Sequence, residues 1–338
     1  MVLFSMTSAI NKLQKLTTLI CILLLATLPA CDPATTSSSS VPQAAPAKQP
    51  DAPVEVGSME ELGDYYDSIG FNINTNPDIF CAVPRLRFTH IPKTWEEEPS
   101  IPLKQSVFFR TMTTMALEVN EEILDQRQKL LSLDIDGPLS AHDQTWLQQM
   151  MAQYRVSQKI GPYSPEQLAE LHIRVDIIPP SLILVQAAIE SAWGSSRFAR
   201  EGNALFGQWT TPGQGIKAEE SDAWLAAFAN PHESVAAYCL NLNTHPSYSI
   251  FRVSRAEMRN EGRPPNGAEL AMHLEKYSEK GVEYTSLVKN MITRHSLEIA
   301  DTARLQDGPE ILIKPIDRPV PEKPTPPNEV APSPQDQA

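Results

Sequence analysis

Glu190 ends an apolar run, Leu182-Ile183-Leu184-Val185-Gln186-Ala187-Ala188-Ile189, and is followed by Ser191-Ala192-Trp193-Gly194. The run reads as an amphipathic helix that starts at Pro179-Pro180 and buries Leu182, Val185 and Ile189 on one face. Gln186, Glu190 and Trp193 stand at i−4, i and i+3, so such a helix carries them on a shared face, with Ile183 one turn further back. A carboxyl beside apolar and aromatic side chains loses hydration, which disfavours its charged form and raises its pKa. An acid that keeps its proton near neutral pH can give it to a leaving sugar oxygen, the step that opens a glycosidic bond. The same spacing fits a surface carboxylate near a helix end, so position alone leaves both readings open.

The elements that must hold this residue are mostly helical. Phe108, Met112, Met115, Val119, Ile123 and Leu130 recur at helical spacing between Lys104 and Leu133. Ser140 with Asp143 is a start signal before Trp146, Met150 and Tyr154. Ser164-Pro165-Glu166-Gln167 is a stronger one, with a hydroxyl cap, proline in the first turn and Gln three residues on. Asn230-Pro231-His232-Glu233 opens a helix with Val235, Tyr238 and Leu242 as its stripe. Asn266 with Glu269 opens another carrying Leu270, His273, Leu274 and Tyr277, and a last one runs from about Val282 to Ala300. Helical signals fade between 208 and 229, where Gly213 and Gly215 suggest a small hairpin lobe. Residues 56–103 show no clear period and read as an irregular extension.

Two separated motifs carry a resemblance. Gln186-Ala187-Ala188-Ile189-Glu190-Ser191-Ala192-Trp193-Gly194, then Gly202-Asn203-Ala204-Leu205-Phe206-Gly207, resemble the endo-β-N-acetylglucosaminidase family of peptidoglycan hydrolases, which includes the hydrolase domain of the flagellar rod-assembly protein. Within that family the chain is similar to the Bax-like proteins. Further matching pieces are Leu242–Tyr248, Phe108-Phe109 with Asn120, Ile123, Leu124 and Arg127 upstream, and Tyr277-Ser278-Glu279-Lys280-Gly281 with Tyr284, so the likeness covers roughly 100–300.

The resemblance implies a mainly α (α+β) fold: a lysozyme-like helical domain with a small β-lobe, here with an N-terminal helical extension. It implies cleavage of the bond after N-acetylglucosamine in peptidoglycan glycan strands, with Glu190 as the general acid. Tyr277 takes the place of a tyrosine that the family uses near the reacting sugar, and Tyr284 is the substitute. A second carboxylate belongs in the β-lobe, where Glu219, Glu220 and Asp222 are the candidates and Glu220 is preferred; a solvated acidic loop is the plain alternative. The acetamido group of the sugar could also assist, which lessens the need for that carboxylate. Trp193, Asn203, Phe206 and Trp209 are the expected substrate contacts, with packing favoured for Phe206 and a turn-holding role for Asn203. Lytic transglycosylases and muramidases place a similar Glu-Ser pair at a helix end, but follow it with a Gly-Leu-Met-Gln type of segment instead of Asn-Ala-Leu-Phe-Gly. A third reading is a lipid-anchored, non-catalytic wall-binding protein.

The ends set the expected compartment. Lys12 and Lys15 precede an apolar run from Leu16 to Leu28, then Pro29-Ala30-Cys31, which resembles a bacterial lipoprotein signal with Cys31 as the lipid-bearing residue. Asp32 after it resembles the inner-membrane retention signal of enteric-type lipoproteins. The expected organisation is a signal peptide at 1–30, a Pro/Ser tether at 31–55, an extension at 56–155 that is helical in its second half, a catalytic domain at 156–304, and a Pro-rich disordered tail at 305–338. The protein is expected in the cell envelope, anchored through Cys31 and facing the periplasm. A net charge of −13 argues against nucleic acid as a partner. Cys81 and Cys239 imply no disulfide framework, and the seven scattered histidines show no metal-ligand spacing. No metal and no cofactor are expected, and the oligomeric state is not legible.

Overall fold

A computed structural model describes residues 52–72, 82–135, 137–156, 163–219 and 221–316. Cys31, Cys81 and Glu220 lie outside these residues, as do the expected signal and most of the tether. Strand β1 (Val54–Val56) leads to helix α1 (Met59–Ser68), whose first turn is capped by the Ser58 hydroxyl. Strand β2 (Leu86–Phe88) and a 3-10 turn at Lys93–Glu96 lead to α2 (Ile101–Ser132). Every residue of α2 from Val107 to Asn120 is buried. The Phe108, Met112, Met115 and Val119 stripe covers one side. Thr111, Thr113, Thr114 and Ala116 are small enough to admit neighbours on the others, and Thr113 and Thr114 return their hydroxyls to backbone carbonyls.

Helix α3 (Ala141–Gln153) starts at the Ser140 cap, and α4 (Pro165–Arg174) carries a complete capping box between Ser164 and Gln167. Next come α5 (Pro180–Glu190) and α6 (Arg197–Gly202). The lobe follows, with β3 (Trp209–Thr210), β4 (Ile216–Lys217) and β5 (Trp224–Leu225) in the antiparallel order β3-β5-β4. Helices α7 (Pro231–Thr244), α8 (Ser249–Asn260), α9 (Gly267–Leu270) and α10 (Val282–Arg294) complete the helical part, and β6 (Ile311–Pro315) ends it. The fold is mainly helical with two small sheets, as expected of a lysozyme-like domain carrying a β-lobe.

Several expectations need correction. Helix α5 is not amphipathic: Pro180 through Ala188 are all buried, so it is a core helix whose final turn alone reaches the surface. The helix expected from Asn266 stops after four residues and continues as 3-10 turns at Ala271–His273 and Glu275–Tyr277. The last helix ends at Arg294, because Ser296 adopts left-handed backbone (φ 52°) before a 3-10 stretch at Leu297–Thr302. Helix α8 was not foreseen; it buries Phe251 and Met258 together with Arg252 and Arg255, whose charges disguise the buried face.

The largest correction concerns the ends of the domain. Residues 56–103 are not irregular throughout, and the expected tail at 305–338 begins too early. β6 lies between β1 and β2 in a parallel three-stranded sheet, with Val54 opposite Ile313 and Leu86 opposite Ile311. Strands this short carry little periodic signal, and they gain their backbone partners only from the far end of the chain. Val56, Met59, Leu62, Tyr66, Leu86 and Ile313 join the same hydrophobic core as Leu182, Ile183 and Val185 of α5. The extension is therefore part of the body that holds the candidate acid. A smaller cluster around Leu130, Leu147, Met151, Tyr154 and Leu171 packs α2, α3 and α4 together. Cys239 is a buried free thiol on α7.

Candidate active site

Helix α5 lacks a local side-chain cap, because Pro179 occupies the cap position. The cap arrives from 120 residues away: Asp301 accepts from Ser181 N at 2.9 Å and from the Ser181 hydroxyl at 3.0 Å. Its second oxygen also accepts from Gly267 N at 2.8 Å, which ties α9 to the same point. Burial pushes the Asp301 carboxyl up to about 6, against these three bonds that favour its charged form.

The other end of α5 stops abruptly at Glu190. Ala192 (φ 50°), Trp193 (φ 59°) and Gly194 (φ 75°) are all left-handed, so the chain reverses its winding immediately after the acid. Ser191 holds this turn: its hydroxyl donates to Ala187 O at 2.6 Å and accepts from Gly194 N at 2.8 Å. Gly194 is required twice over, since a Cβ there would lie 2.5 Å from the Trp95 indole in addition to the positive φ. The Glu-Ser-x-Trp-Gly motif thus reads physically as an acid followed by the lock of its helix end.

The reversal removes Trp193 from the face of Gln186 and Glu190, contrary to expectation. Its indole packs edge-on against Phe108, Phe109 and His295. Gln186 and Glu190 do share a face, and a third residue joins them. Tyr284 of α10 donates its hydroxyl hydrogen to Glu190 Oε1 at 2.7 Å and accepts from Gln186 Nε2 at 3.0 Å. Gln186 Oε1 in turn accepts from the Tyr238 hydroxyl. Glu190 is half-buried. Burial raises its pKa from the ordinary carboxylate value, and the Tyr284 bond, which favours the charged form, pulls the other way without cancelling it.

Tyr277 does not bond the acid. Its ring stacks on Tyr284 at 5.5 Å and its hydroxyl reaches the Phe206 carbonyl at 3.4 Å, so the tyrosine in contact with Glu190 is Tyr284. Phe206 is buried and stacked on Tyr238 at 4.0 Å, which gives it a packing place. Asn203, for which a turn-holding role is favoured, stands at the left-handed end of α6. It is buried with left-handed backbone, its Oδ1 accepts from Ile91 N, and its Nδ2 donates to Phe228 O. Both ends of the amide are spent joining the N-terminal extension to the end of the lobe. Trp209 alone of the four stands free, 76% exposed on β3.

The lobe acids are engaged where they are described. Glu219 pairs with Arg197 at 3.3 Å, and Asp222 pairs with Lys217 at 3.0 Å. Glu220, the preferred second carboxylate, lies outside the described residues. Among the described residues no group of three His, Cys, Asp or Glu side chains is placed to hold a metal ion. Sequence reasoning missed Asp301, Tyr238 and the bond made by Tyr284. Only Gln186, one turn before the acid, and Tyr284, weighed as a substitute, left a signal.

This geometry holds one oxygen of a half-buried carboxyl, favours its protonated form through burial, and leaves the residue partly exposed at the end of its helix. The family model described as mannosyl-glycoprotein endo-beta-N-acetylglucosaminidase matches residues 166–297, from α4 to the 3-10 stretch after α10. "Protein bax" of Escherichia coli (strain K12) is 35% identical over 188 residues, which cover 56% of this chain and 68% of that protein. No solved structure matches.

Proposed function

Since the chain belongs to the glucosaminidase family, in its Bax-like branch, we propose that it hydrolyses peptidoglycan glycan strands at the bond after N-acetylglucosamine, with Glu190 as the general acid. The observation that carries this reading is the state of Glu190, a half-buried carboxyl whose pKa burial raises and whose Oε1 is held by Tyr284. In the reaction Glu190 gives its proton to the glycosidic oxygen as the bond to the anomeric carbon breaks. Water then adds to that carbon, and its proton leaves to a base. Glu220 takes that role in an inverting route. In a substrate-assisted route the acetamido oxygen closes on the anomeric carbon as the glycosidic bond breaks, and water then opens the ring so formed, giving its proton to the Glu190 carboxylate. The ion pairing of Glu219 and Asp222 favours Glu220 or the acetamido group over those two. Trp209 offers a face for a sugar ring.

The test is digestion of purified peptidoglycan with analysis of the new ends. New reducing-end N-acetylglucosamine, lost in Glu190→Gln, supports the reading. Anhydromuramic ends would assign the chain to lytic transglycosylation, and binding without digestion under any condition would assign it to wall attachment.

We further propose that Cys31 carries a lipid that tethers the protein at the membrane facing the periplasm. Among the described residues no helix is long and apolar enough to cross a membrane. Membrane retention of a Cys31→Ser variant would overturn the anchor.

A further inference from the structure

Three buried side chains form a single line of hydrogen bonds that ends on the candidate acid: Tyr238 to Gln186, Gln186 to Tyr284, Tyr284 to Glu190. Each member spends its donor in the same direction. Gln186 and Tyr238 are fully buried and Tyr284 is 4% exposed. An amide can face its neighbours in two ways, and the two have opposite consequences here. With Nε2 toward Tyr284, the Tyr284 oxygen accepts, and its hydrogen is free only for Glu190. With the amide turned over, Tyr284 would donate to Gln186, and Glu190 could reach Tyr284 only by giving up its own proton to it. In that arrangement the acid's proton sits on Oε1, turned away from any substrate.

The amide of Gln186 cannot choose its own direction; Tyr238 chooses for it. Among the described residues the Tyr238 hydroxyl has a single hydrogen-bond partner, Gln186 Oε1. Its ring is fixed by stacking on Phe206. If the amide turned over, the Tyr238 hydrogen would be left in the core without an acceptor, a costly state for a buried donor. The line of bonds is therefore locked from its far end. Oε2 of Glu190 has no protein partner among the described residues, and it is not among the buried polar atoms that lack one, so it opens to the surface. We propose that Tyr238, acting through Gln186 and Tyr284, is a positioning residue that keeps the catalytic proton of Glu190 on Oε2. The proposal rests on Glu190 being the acid. The titratable groups facing Glu190 are the phenols of Tyr284, Tyr248 and Tyr277; no charged side chain shifts it.

The experiment is a carboxyl-carbon NMR titration of Glu190 in the full chain, run beside the pH profile of wall digestion. Tyr284→Phe deletes the donor to Oε1, so the titration moves up by about one pH unit. Tyr238→Phe removes only the lock, and the titration moves the same way by on the order of half a unit, with a fall in kcat and little change in KM. A purely structural role would lower activity without moving the titration. If Tyr238→Phe titrates with the wild type, or Tyr284→Phe does, the proposal is overturned. Should Tyr238→Phe not fold, Gln186→Met must displace the titration upward or the proposal fails. Absence of digestion by the wild type would refute the glycosidase reading separately, while the titration still decides the lock.

Discussion

The Tyr284 hydroxyl lies 2.7 Å from Glu190 Oε1, although the two residues are 94 positions apart in the chain. Each comes from a different helix, Glu190 from the last turn of α5 and Tyr284 from the first turn of α10. The bond fixes one carboxyl oxygen and leaves the other open, so the orientation of the acid is set before any substrate arrives.

Burial raises the Glu190 pKa, and a general acid works only while protonated. The rate should therefore be sustained above the pH at which an ordinary glutamate ionises and fall as pH rises through the raised value. Glu190→Gln should lower kcat by roughly a hundredfold or more across the range, with the melting temperature kept. A profile whose falling limb lies at the ordinary carboxylate value would contradict the role.

Gly194→Ala places a methyl group 2.5 Å from Trp95 on left-handed backbone. It should destabilise the protein by on the order of 2–4 kcal/mol and displace the turn after Glu190. Chemical denaturation reads the first effect and the digestion rate the second. A neutral outcome would show that the turn can relax.

Glu118 sits inside α2, 5% exposed, with neither carboxyl oxygen hydrogen-bonded. Burial lifts its pKa to about 7, against the nearby Arg87 and His232. The folded form thus binds this proton more tightly than the unfolded chain. Its stabilising contribution is complete below the unfolded value and is lost as pH rises to about 7. That loss amounts to roughly 3 kcal/mol. Glu118→Gln should flatten this slope and exceed the wild type in stability at pH 8, as read by denaturation at pH 4 and pH 8.

Truncation before Ile311 removes the strand between β1 and β2 and deprives the core of Ile313. A loss of about 3 kcal/mol or more is expected from that side chain and its backbone bonds. An unchanged melting temperature would mean that the sheet is dispensable.

Trp209 is 76% exposed and packs little. Trp209→Ala should leave stability within about 0.5 kcal/mol and raise KM roughly threefold to tenfold if the indole stacks on sugar. A change in stability with constant KM would assign it to the lobe's own packing.

The sequence determined the local parts. Ser140, Ser164 and Asn230 announced helix starts because caps are made within three residues. The apolar run to Ile189 delivered Glu190 to a helix end whatever packed around it. The Glu-Ser and Asn-Ala-Leu-Phe-Gly motifs pointed to a family and so to a helical fold with a lobe. Tertiary structure decided what depends on partners distant in the chain. Asp301 caps α5 from 120 residues away, and β6 completes a sheet begun at Val54. Phe206 and Trp193 were drawn into aromatic packing, and Tyr284 rather than Tyr277 reached the acid. Helical periodicity shows which face a residue shares only while the helix lasts. The left-handed turn at Ala192, Trp193 and Gly194 ended that rule one residue past Ser191, where contact with α2 outweighed spacing.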